Sequence, residues 1–425
     1  MSYHQPTLLS DSDTAQLLVP AAEQGSGILD LNQFVAEVHA QNRSLQAMVA
    51  TWRAATERYP QAIALDDPTL TSMTAPGSWN SSNVATAYIV GGSQKIPWHG
   101  KRELRGRVAD AMARSAYWDV ADARLELTRA AQMAFFEYYL VERQLELNAA
   151  NTRSLREFRD TALRQYEANL GMQQDVLQAD VELADLDRRQ IELERTLNVA
   201  RARINTLMHR LPDGSLPSAP AQLAVDIEPA SPEVMRCVAL QRRPDLASAA
   251  ARIQAEQAAL ALANKEFFPD FELMGRYDSF WQPVATQGDL RAQAGVNMNV
   301  PIYLEKRRAA VREAMFKLNQ QRAEYEQRID DINNDVQASY ERVVEMRRIV
   351  QIYAERVVPA ADQNVHSARA DYVAGRGDFL RLVSAQRQVI GLREKYQEAI
   401  AEYHVRLADL ERAIGGQIPF ETRMQ

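Results

Sequence analysis

The chain contains nearly the same segment twice. Residues 166–179 align without gaps on residues 372–385, with Tyr, Ala, Gly and Ala at matching offsets. A β-like segment ending in proline precedes each copy, and the interval from Pro97 to Tyr166 is nearly the same as that from Pro301 to Tyr372. Read as helix, each interval is a rod of roughly 100 Å. The sequence therefore predicts two structural repeats, each built on a long helix that turns back on itself.

Composition narrows the functional classes. The chain has 425 residues, of which 46% are hydrophobic and 25% charged, and it has only 17 Gly and 17 Pro. This is a folded composition typical of long helices. The net charge of −7 gives no basis for a nucleic-acid partner. Cys237 is the only cysteine, so an intrachain disulfide and a cysteine metal site are both excluded.

Targeting signals are missing from the sequence. It has no run of 18 apolar residues, so we expect no transmembrane helix. The first ten residues lack a basic region followed by an apolar stretch, and they contain no cysteine for lipidation. We expect either a cytoplasmic protein or a start that differs from that of an exported precursor.

Proline and glycine divide the chain into predicted segments. Residues 1–29 form an irregular N-terminal arm, 30–210 the first repeat, 211–233 a proline-rich linker, 234–416 the second repeat and 417–425 a C-terminal tail. In the first repeat we predict one helix from Asp30 to Arg58 that Pro60 stops, strands at Gln61–Leu65 and about 84–96, and a helical hairpin at 101–209. In the second we predict short helices, a β pair at about 269–303, and a hairpin at 306–414 with a kink at Pro359.

Three long helices carry apolar residues at alternating spacings of three and four, the pattern of a coiled-coil seam. The seams are residues 176, 179, 183, 186, 190, 193, 197, 200, 204 and 207; residues 329, 332, 336, 339, 343, 346, 350, 353 and 357; and residues 382, 385, 389, 392, 396, 399 and 403. The pattern predicts that each long helix packs lengthwise against another.

The strands of the second repeat alternate between apolar and polar residues. In 271–278 every odd position is apolar or glycine and three of the four even positions are charged, and in 291–303 the even positions from 292 to 302 are apolar. This indicates a ladder with one apolar and one polar face. Four strands leave open edges, and a closed transmembrane barrel needs at least eight, so several chains must contribute. Two chains would supply eight strands and three would supply twelve. The alternative is a soluble rod with a homotypic coiled coil and a small β cap.

Several short motifs, taken in order, resemble the TolC-like outer-membrane efflux channels, the outer membrane factors of tripartite efflux pumps and type I secretion. The resemblance covers about residues 30–416, and it depends on the order and spacing of motifs that are individually unspecific. The motifs are Gln94-Lys-Ile-Pro97-Trp-His-Gly100-Lys101, Arg243-Pro-Asp-Leu246, Phe268-Pro-Asp-Phe271, Val300-Pro301-Ile302, Val357-Val-Pro359-Ala, Tyr372-Val-Ala-Gly375 and Phe379-Leu380.

The resemblance implies a mainly α protein with a small β part that works as a homotrimer. Three chains would share a twelve-stranded β-barrel in the outer-membrane lipid, and their hairpins would form an α-barrel crossing the periplasm. Such channels dock a periplasmic adaptor protein and an inner-membrane pump of the RND or ABC type. They are passive conduits and use no cofactor.

In the family, a gate closes at the periplasmic tip, where a tyrosine of the second hairpin turn bonds an aspartate of the first. The matching residues are Tyr372 and Asp175; alternatively, each caps and packs its own turn. Family members often carry aspartates nine and twelve residues after the tyrosine, but Arg381 and Ser384 occupy those positions here, so an acidic ring is absent there and cation selectivity is in doubt. Asp378 is a possible substitute. The remaining tip candidates are the turn residues Gly171, Gly375, Arg376 and Gly377.

No catalytic pattern converges in the sequence. The six histidines are scattered without a metal-ligand partner at helix spacing, and neither a Ser-His-Asp arrangement nor a phosphate-binding loop occurs. We therefore predict an outer-membrane export channel with no enzyme activity, cofactor or metal site, extending into the periplasm. A soluble periplasmic coiled-coil structural or adaptor protein is the alternative. The transported substrate, whether drug, metal, dye or peptide, is not encoded in a readable motif.

Overall fold

A computed structural model describes residues 27–76, 88–169, 171–225, 229–279, 292–374 and 376–419. Within these ranges the chain forms ten α-helices and four strands. They are α1 Leu31–Gln41, α2 Arg43–Thr56, α3 Arg58–Ile63, β1 Thr69–Thr74, β2 Tyr88–Ile96, α4 Lys101–Glu167, α5 Gln173–Leu207, α6 Pro232–Arg242, α7 Pro244–Lys265, β3 Phe271–Ser279, β4 Ala292–Met298, α8 Leu304–Ile352, α9 Val358–Val373 and α10 Phe379–Ile414. Of the helices described, none is both long enough and apolar enough to span a bilayer.

The beginning of the first repeat differs from the prediction. Asp30 caps α1 as expected, accepting from the Gln33 backbone at 2.9 Å. However, the predicted single helix is broken at Asn42, whose Oδ1 accepts from the backbone N–H groups of Ser44 and Leu45 and so starts a new helix, α2.

The strand predicted at Gln61–Leu65 is wrong, because helix α3 occupies residues 58–63. Pro60 lies in the first turn of α3, where a missing backbone N–H costs no hydrogen bond, so it does not terminate the helical region. The first strand, β1, lies further along the chain at 69–74. The second, β2, begins at Tyr88, whereas the prediction placed its start at about residue 84, outside the described residues.

The long helices have nearly the predicted bounds. Helices α4, α5 and α10 end within two residues of the positions expected from the glycine and proline pattern. The third long helix is interrupted where Pro359 predicted a disturbance. A five-residue π-helix, Tyr353–Val357, separates α8 from α9, and it lies immediately before the first turn of α9, which contains Pro359. Proline cannot donate to the preceding turn, and the wider π turn accommodates that loss.

The chain divides into two compact units, and each takes segments from both repeats. The described residues of Val49–Asp119 and Asp245–Arg328 form the first unit. Those of Leu9–Met48, Val120–Pro244 and Ile329–Gln425 form the second.

The first unit contains a four-stranded antiparallel sheet in the order β1-β2-β3-β4. The two β pairs of the repeats join through β2 and β3, with Ile96 opposite Phe271. The register confirms the two predicted faces, since residues opposite one another share a face. One face carries apolar residues from every strand, including Leu70, Val90, Leu273, Tyr277 and Val296. The other carries Ser93, Lys95, Glu272, Arg276 and Gln293.

The predicted strand at 291–303 is shorter than expected. Strand β4 ends at Met298, and residues 299–303 precede α8 without strand pairing. Lys101 anchors the start of α4 close to this region. Its buried ammonium donates to the Phe268 carbonyl at 3.0 Å and pairs with Asp270 at 2.9 Å. The start of the first hairpin is thereby tied to the entry of β3.

The second unit contains the predicted helical seams. In α5, six of the ten seam residues are buried, including Ala179 and Ile204, and the pattern repeats in α8 and α10. The one polar seam residue of α5, Gln190, accepts from the buried Asn148 of α4 at 3.0 Å, and Asn148 also donates to the Leu186 carbonyl. The polar position is therefore matched across the hairpin, as a buried polar group requires.

Candidate gate at the hairpin turns

The two hairpin turns have the same backbone hydrogen bonds at equivalent positions of the sequence repeat. In the first turn the Gly171 N–H donates to the Gln165 carbonyl at 3.0 Å, and in the second the Gly377 N–H donates to the Asp371 carbonyl at 3.0 Å. The next helices also begin alike. The residues before α5 and α10 have φ/ψ of −96°/146° and −88°/140°. The sequence repeat is thus a repeat of turn geometry.

Close backbone approach explains the two shared glycines. A Cβ at Gly171 would lie 3.1 Å from the Gln165 Cβ, and a Cβ at Gly377 would lie 3.1 Å from both the Asp371 Cβ and the Tyr372 backbone nitrogen. Any side chain would push the turn away from the end of the preceding helix. The first turn also contains Asn169 at φ 55°, a left-handed conformation that asparagine tolerates. Gly375, at the corresponding position of the second turn, lies outside the described residues.

The side chains that begin the two return helices differ. In the second hairpin Asp378 is the N-cap of α10, and its carboxylate accepts from the Leu380 N–H at 3.2 Å. In the first hairpin the N-cap position belongs to Met172, which makes no side-chain cap. The carboxylate there belongs to Asp175, the third residue of α5, and it reaches back to the Met172 backbone. Arg381 occupies the position of Asp175 in the second hairpin.

The structure brings Tyr372 and Asp175 together. The Tyr372 hydroxyl donates to Asp175 Oδ2 at 3.3 Å, a contact between hairpins across 197 residues of sequence. The Tyr372 ring is buried, 5% exposed, and packs on Phe379 with 5.3 Å between ring centroids. Both belong to a cluster contributed by the two hairpins, whose other buried members are Leu155, Phe158, Ala162, Val176, Ala179, Leu186, Leu382 and Val383. Asp175 therefore contacts its own turn as well as Tyr372.

The pKa values of both Asp175 and Tyr372 are raised. Burial raises the pKa of Asp175, and the charge of Asp378 adds to this, while the hydrogen bond from Tyr372 opposes it. Burial and the adjacent Asp175 carboxylate raise the pKa of Tyr372, so the hydroxyl remains a hydrogen-bond donor at neutral pH.

The remaining predicted tip residues lie at the turns but outside this contact. Arg376 is exposed and lies 3.6 Å from the Asp371 carboxylate. Arg381 is exposed. Because Asp378 caps its own helix, its carboxylate is engaged locally at the turn. In the described ranges, no group of histidine, cysteine or carboxylate side chains is arranged to hold a metal ion.

Comparisons with known proteins agree with this architecture. A family model described as outer membrane efflux protein matches residues 237–416. The cobalt-zinc-cadmium resistance protein CzcC of Cupriavidus metallidurans is 22% identical over 412 residues, covering 96% of this chain and 95% of CzcC. The second repeat therefore resembles the outer membrane efflux proteins, and nearly the whole length of the chain aligns with CzcC.

Solved structures show that the fold is shared over more than nine-tenths of the chain. The CusC channel superposes with a TM-score of 0.78 at 17% identity, covering 94% of this chain and 97% of CusC. The outer-membrane channel OprN superposes with a TM-score of 0.74 at 21% identity, covering 91% and 90% of the two chains. These similarities support the predicted channel over the soluble coiled-coil adaptor and over an enzyme.

Two contacts between α5 and α10 were missed in the sequence. Glu182 of α5 binds Arg387 of α10, with Arg387 Nε 2.7 Å from Glu182 Oε2. Arg189 of α5 binds Glu394 of α10 at 2.7 Å. A signal was present, because residues 175, 182 and 189 are each one heptad apart, but charged residues in such patterns usually form solvated faces.

Proposed function

We propose that three copies of the chain assemble into an outer-membrane efflux channel, with the sheet in the membrane and the helical hairpins in the periplasm. The supporting observation is the four-stranded sheet with one apolar and one polar face. In the described part of the chain, β1 and β4 each pair along one side only, with β2 and β3 respectively. Joining the β1 edge of one copy to the β4 edge of the next satisfies both, and three copies give twelve strands.

The apolar face would contact lipid and the polar face would line the lumen. Side chains of the apolar face are solvent-accessible in the single chain, with Leu70 79% exposed and Val296 62% exposed. On the polar face, Arg276 bonds Gln293 at 3.0 Å and pairs with Asp278 at 3.1 Å. Such a polar network suits a wet lumen, whereas the apolar residues suit a hydrocarbon surround.

The tip would be the gate. Tyr372 and Asp175 join the two hairpins where the helices turn, so breaking their hydrogen bond lets one hairpin move relative to the other. Gly171, Gly377 and Asp378 fix the two turns, while Arg376 and Arg381 would place positive charge at the tip. We propose that Arg381 in three copies disfavours cation entry, the opposite of an aspartate ring.

The channel would work with a periplasmic adaptor protein and an inner-membrane pump, which supply the energy that a passive conduit lacks. The chemical class of the exported cargo can be determined by growth assays. CzcC is named for resistance to cobalt, zinc and cadmium, but 22% identity does not transfer a substrate. Growth of a deletion strain on metals and on antibiotics would identify the class.

Adjacent residues of β4 provide a matched test of the assembly. Val296 and Asn297 are both exposed and lie on opposite faces of the sheet. Val296→Arg places a charge on the proposed lipid face and is expected to remove most trimer from the outer membrane, since arginine there costs about 2–4 kcal/mol near the bilayer centre. Asn297→Arg is expected to leave trimer abundance unchanged and to alter single-channel conductance.

The measurements are trimer abundance in outer-membrane fractions on unheated gels, and conductance in planar bilayers. Equal tolerance of both arginine variants, with wild-type protein that is water-soluble and gives no conductance, would refute the channel.

A further inference from the structure

The contact between Tyr372 and Asp175 is one of three that join α5 to the second hairpin at heptad intervals. Asp175, Glu182 and Arg189 follow one another at seven-residue steps, so they lie on the same side of α5. Their partners are respectively Tyr372, Arg387 and Glu394. We call these three contacts the cross-hairpin ladder. At about 1.5 Å per residue its two heptads extend roughly 21 Å from the turn.

The two ion pairs of the ladder have inverted polarity. In the pair nearer the turn α5 supplies the carboxylate, and in the farther pair α5 supplies the guanidinium. Arg387 and Glu394 are also one heptad apart on α10. This inversion specifies register, because sliding one hairpin along the other by a heptad would bring Glu182 beside Glu394, or Arg189 beside Arg387. Like charges in contact disfavour such a shift.

The three contacts differ in strength. Arg387 engages both oxygens of Glu182, through Nε at 2.7 Å and through a terminal guanidinium nitrogen. Arg189 makes a single contact with Glu394. The Tyr372 hydrogen bond is the longest, at 3.3 Å. Forked arginine–carboxylate pairs are stronger than single hydrogen bonds. The geometry therefore ranks the contact between Arg387 and Glu182 above the one between Tyr372 and Asp175.

The carboxylates of both ion pairs are buried and the arginines are more accessible. Side-chain exposure is 11% for Glu182 against 60% for Arg387, and 10% for Glu394 against 37% for Arg189. Burial raises the pKa of Glu394 while the Arg189 charge opposes this. Losing either arginine leaves a carboxylate in a poorly hydrated place, a state that separation of the hairpins would relieve.

The space beside the two ion pairs is only partly filled by side chains. A cavity of about 430 Å³ lies between α5 and α10, with both ion pairs among its lining residues together with Leu186 and Ile390. Gly391 of α10 borders it, and a Cβ there would meet no described atom within 4 Å. Because side chains leave this space unfilled, the ion pairs contribute to the attraction between α5 and α10 alongside the buried apolar cluster.

We propose that the cross-hairpin ladder, with Glu182–Arg387 as its strongest member, holds the channel closed and that opening requires both ion pairs to separate. The proposal rests on the proposed channel function and extends its gate from the turn to two heptads of helix. Glu182, Arg189, Arg387 and Glu394 are positioning residues, which act by fixing the hairpin that carries Tyr372.

Single-channel recordings of the full-length trimer in planar bilayers test the proposal. Arg387→Ala is expected to raise the open-to-closed ratio roughly tenfold, equivalent to about 1.4 kcal/mol. Arg189→Ala is expected to raise it less, roughly threefold, because it removes a single contact. The matched control is Arg159→Ala. Arg159 binds Asp180 at 2.8 Å, but this pair joins α4 to α5 within the first hairpin, so the ratio is expected to remain at the wild-type value.

A charge exchange separates the contact from a general loss of folding. Arg387→Glu is expected to open the channel further than Arg387→Ala, because it faces Glu182. Combining it with Glu182→Arg is expected to return the ratio toward wild type, a coupling that unrelated destabilisation would not produce. Equal ratios for the Arg387→Ala and Arg159→Ala trimers, or no recovery in the exchanged pair, would overturn the ladder and leave the channel intact. A wild-type trimer without conductance would overturn both.

Discussion

The two hairpin turns share their backbone geometry but differ in the contacts of their side chains. Equivalent backbone hydrogen bonds close both turns, and glycine occupies the same crowded position in each. Yet Tyr166 of the first turn is 43% exposed, whereas its counterpart Tyr372 is 5% exposed. Both turns share the same backbone geometry, and the close approach of the preceding helix favours glycine in each. Burial and hydrogen bonding differ between the two tyrosines, and only Tyr372 makes the contact proposed for the gate.

The two turns also differ in where their carboxylates lie. The first hairpin presents a carboxylate at the third residue of its return helix, Asp175, where the second presents Arg381. The second hairpin presents a carboxylate at the N-cap, where the first has Met172. A helix N-terminus favours negative charge at either position, so each solution stabilises its own helix. Only the first leaves a carboxylate within reach of Tyr372.

The largest expected effect comes from the buried cluster. Phe379→Ala removes a ring that is 2% exposed and packs on Tyr372, so we expect a loss of about 3–5 kcal/mol in the free energy of unfolding. The equivalent position in the first hairpin is Gln173, which is exposed, and Gln173→Ala should change stability by less than about 0.5 kcal/mol. Thermal unfolding of the detergent-solubilised trimer compares the two, and similar losses would mean that the turns are not specialised.

A smaller difference is expected between the two glycines. Gly377→Ala should cost about 1–2 kcal/mol, because its Cβ would meet the Tyr372 backbone nitrogen at 3.1 Å and the Asp371 carbonyl carbon at 3.2 Å. Gly171→Ala should cost about half as much, since the nearest backbone atoms are 3.4 Å away. Chemical unfolding of the two variants measures both costs. If Gly171→Ala lowered the free energy of unfolding more than Gly377→Ala, crowding around the Cβ would not explain why both turns have glycine.

The helices and the polarity of the strands could be predicted because each depends on local periodicity. The three-four spacing of apolar residues predicted the buried seams of α5 and α10, and the alternation of apolar and charged residues identified the two faces of β3. Predictions failed where proline and asparagine chemistry competed with that periodicity. Pro60 is compatible with a first helical turn as well as with a helix end, and Asn42 can cap a helix as well as lie within one.

The candidate gate was only partly visible in the sequence. Family resemblance located Tyr372 and Asp175, and the structure shows their contact. The pairs Glu182–Arg387 and Arg189–Glu394 join helices that are far apart in the sequence. Nothing local distinguishes these charges from the many arginines and glutamates on exposed faces, such as Arg188 and Glu192. Only the packing of α5 against α10 selects them.

The tyrosine hydrogen bond should have a modest effect. Tyr372→Phe keeps the ring in the cluster and removes only the hydroxyl, so we expect a loss of about 0.5–1 kcal/mol and a roughly threefold higher open-to-closed ratio. Tyr166→Phe is the matched control and should leave conductance unchanged, because that ring is largely exposed. Planar-bilayer recordings decide between them. A larger rise in the open-to-closed ratio than that of Arg387→Ala would make Tyr372–Asp175, rather than Glu182–Arg387, the strongest contact of the cross-hairpin ladder.

The smallest expected effect is a pH dependence confined to the first turn. The folded-state pKa of Asp175 is raised, so the stability linked to its protonation is fully present below the ordinary aspartate pKa and is lost as pH rises through the folded value. Acidification should therefore favour the closed tip. The raised pKa of Tyr372 keeps its hydroxyl protonated throughout.

We expect the open fraction to fall on acidification in the wild type and to lose most of that dependence in Asp175→Asn. The control Arg381→Gln, at the equivalent position of the second turn, should retain it, because this change leaves Asp175 and Tyr372 in place. A pH response that survives in Asp175→Asn would assign the titration to another group and remove this distinction between the two turns.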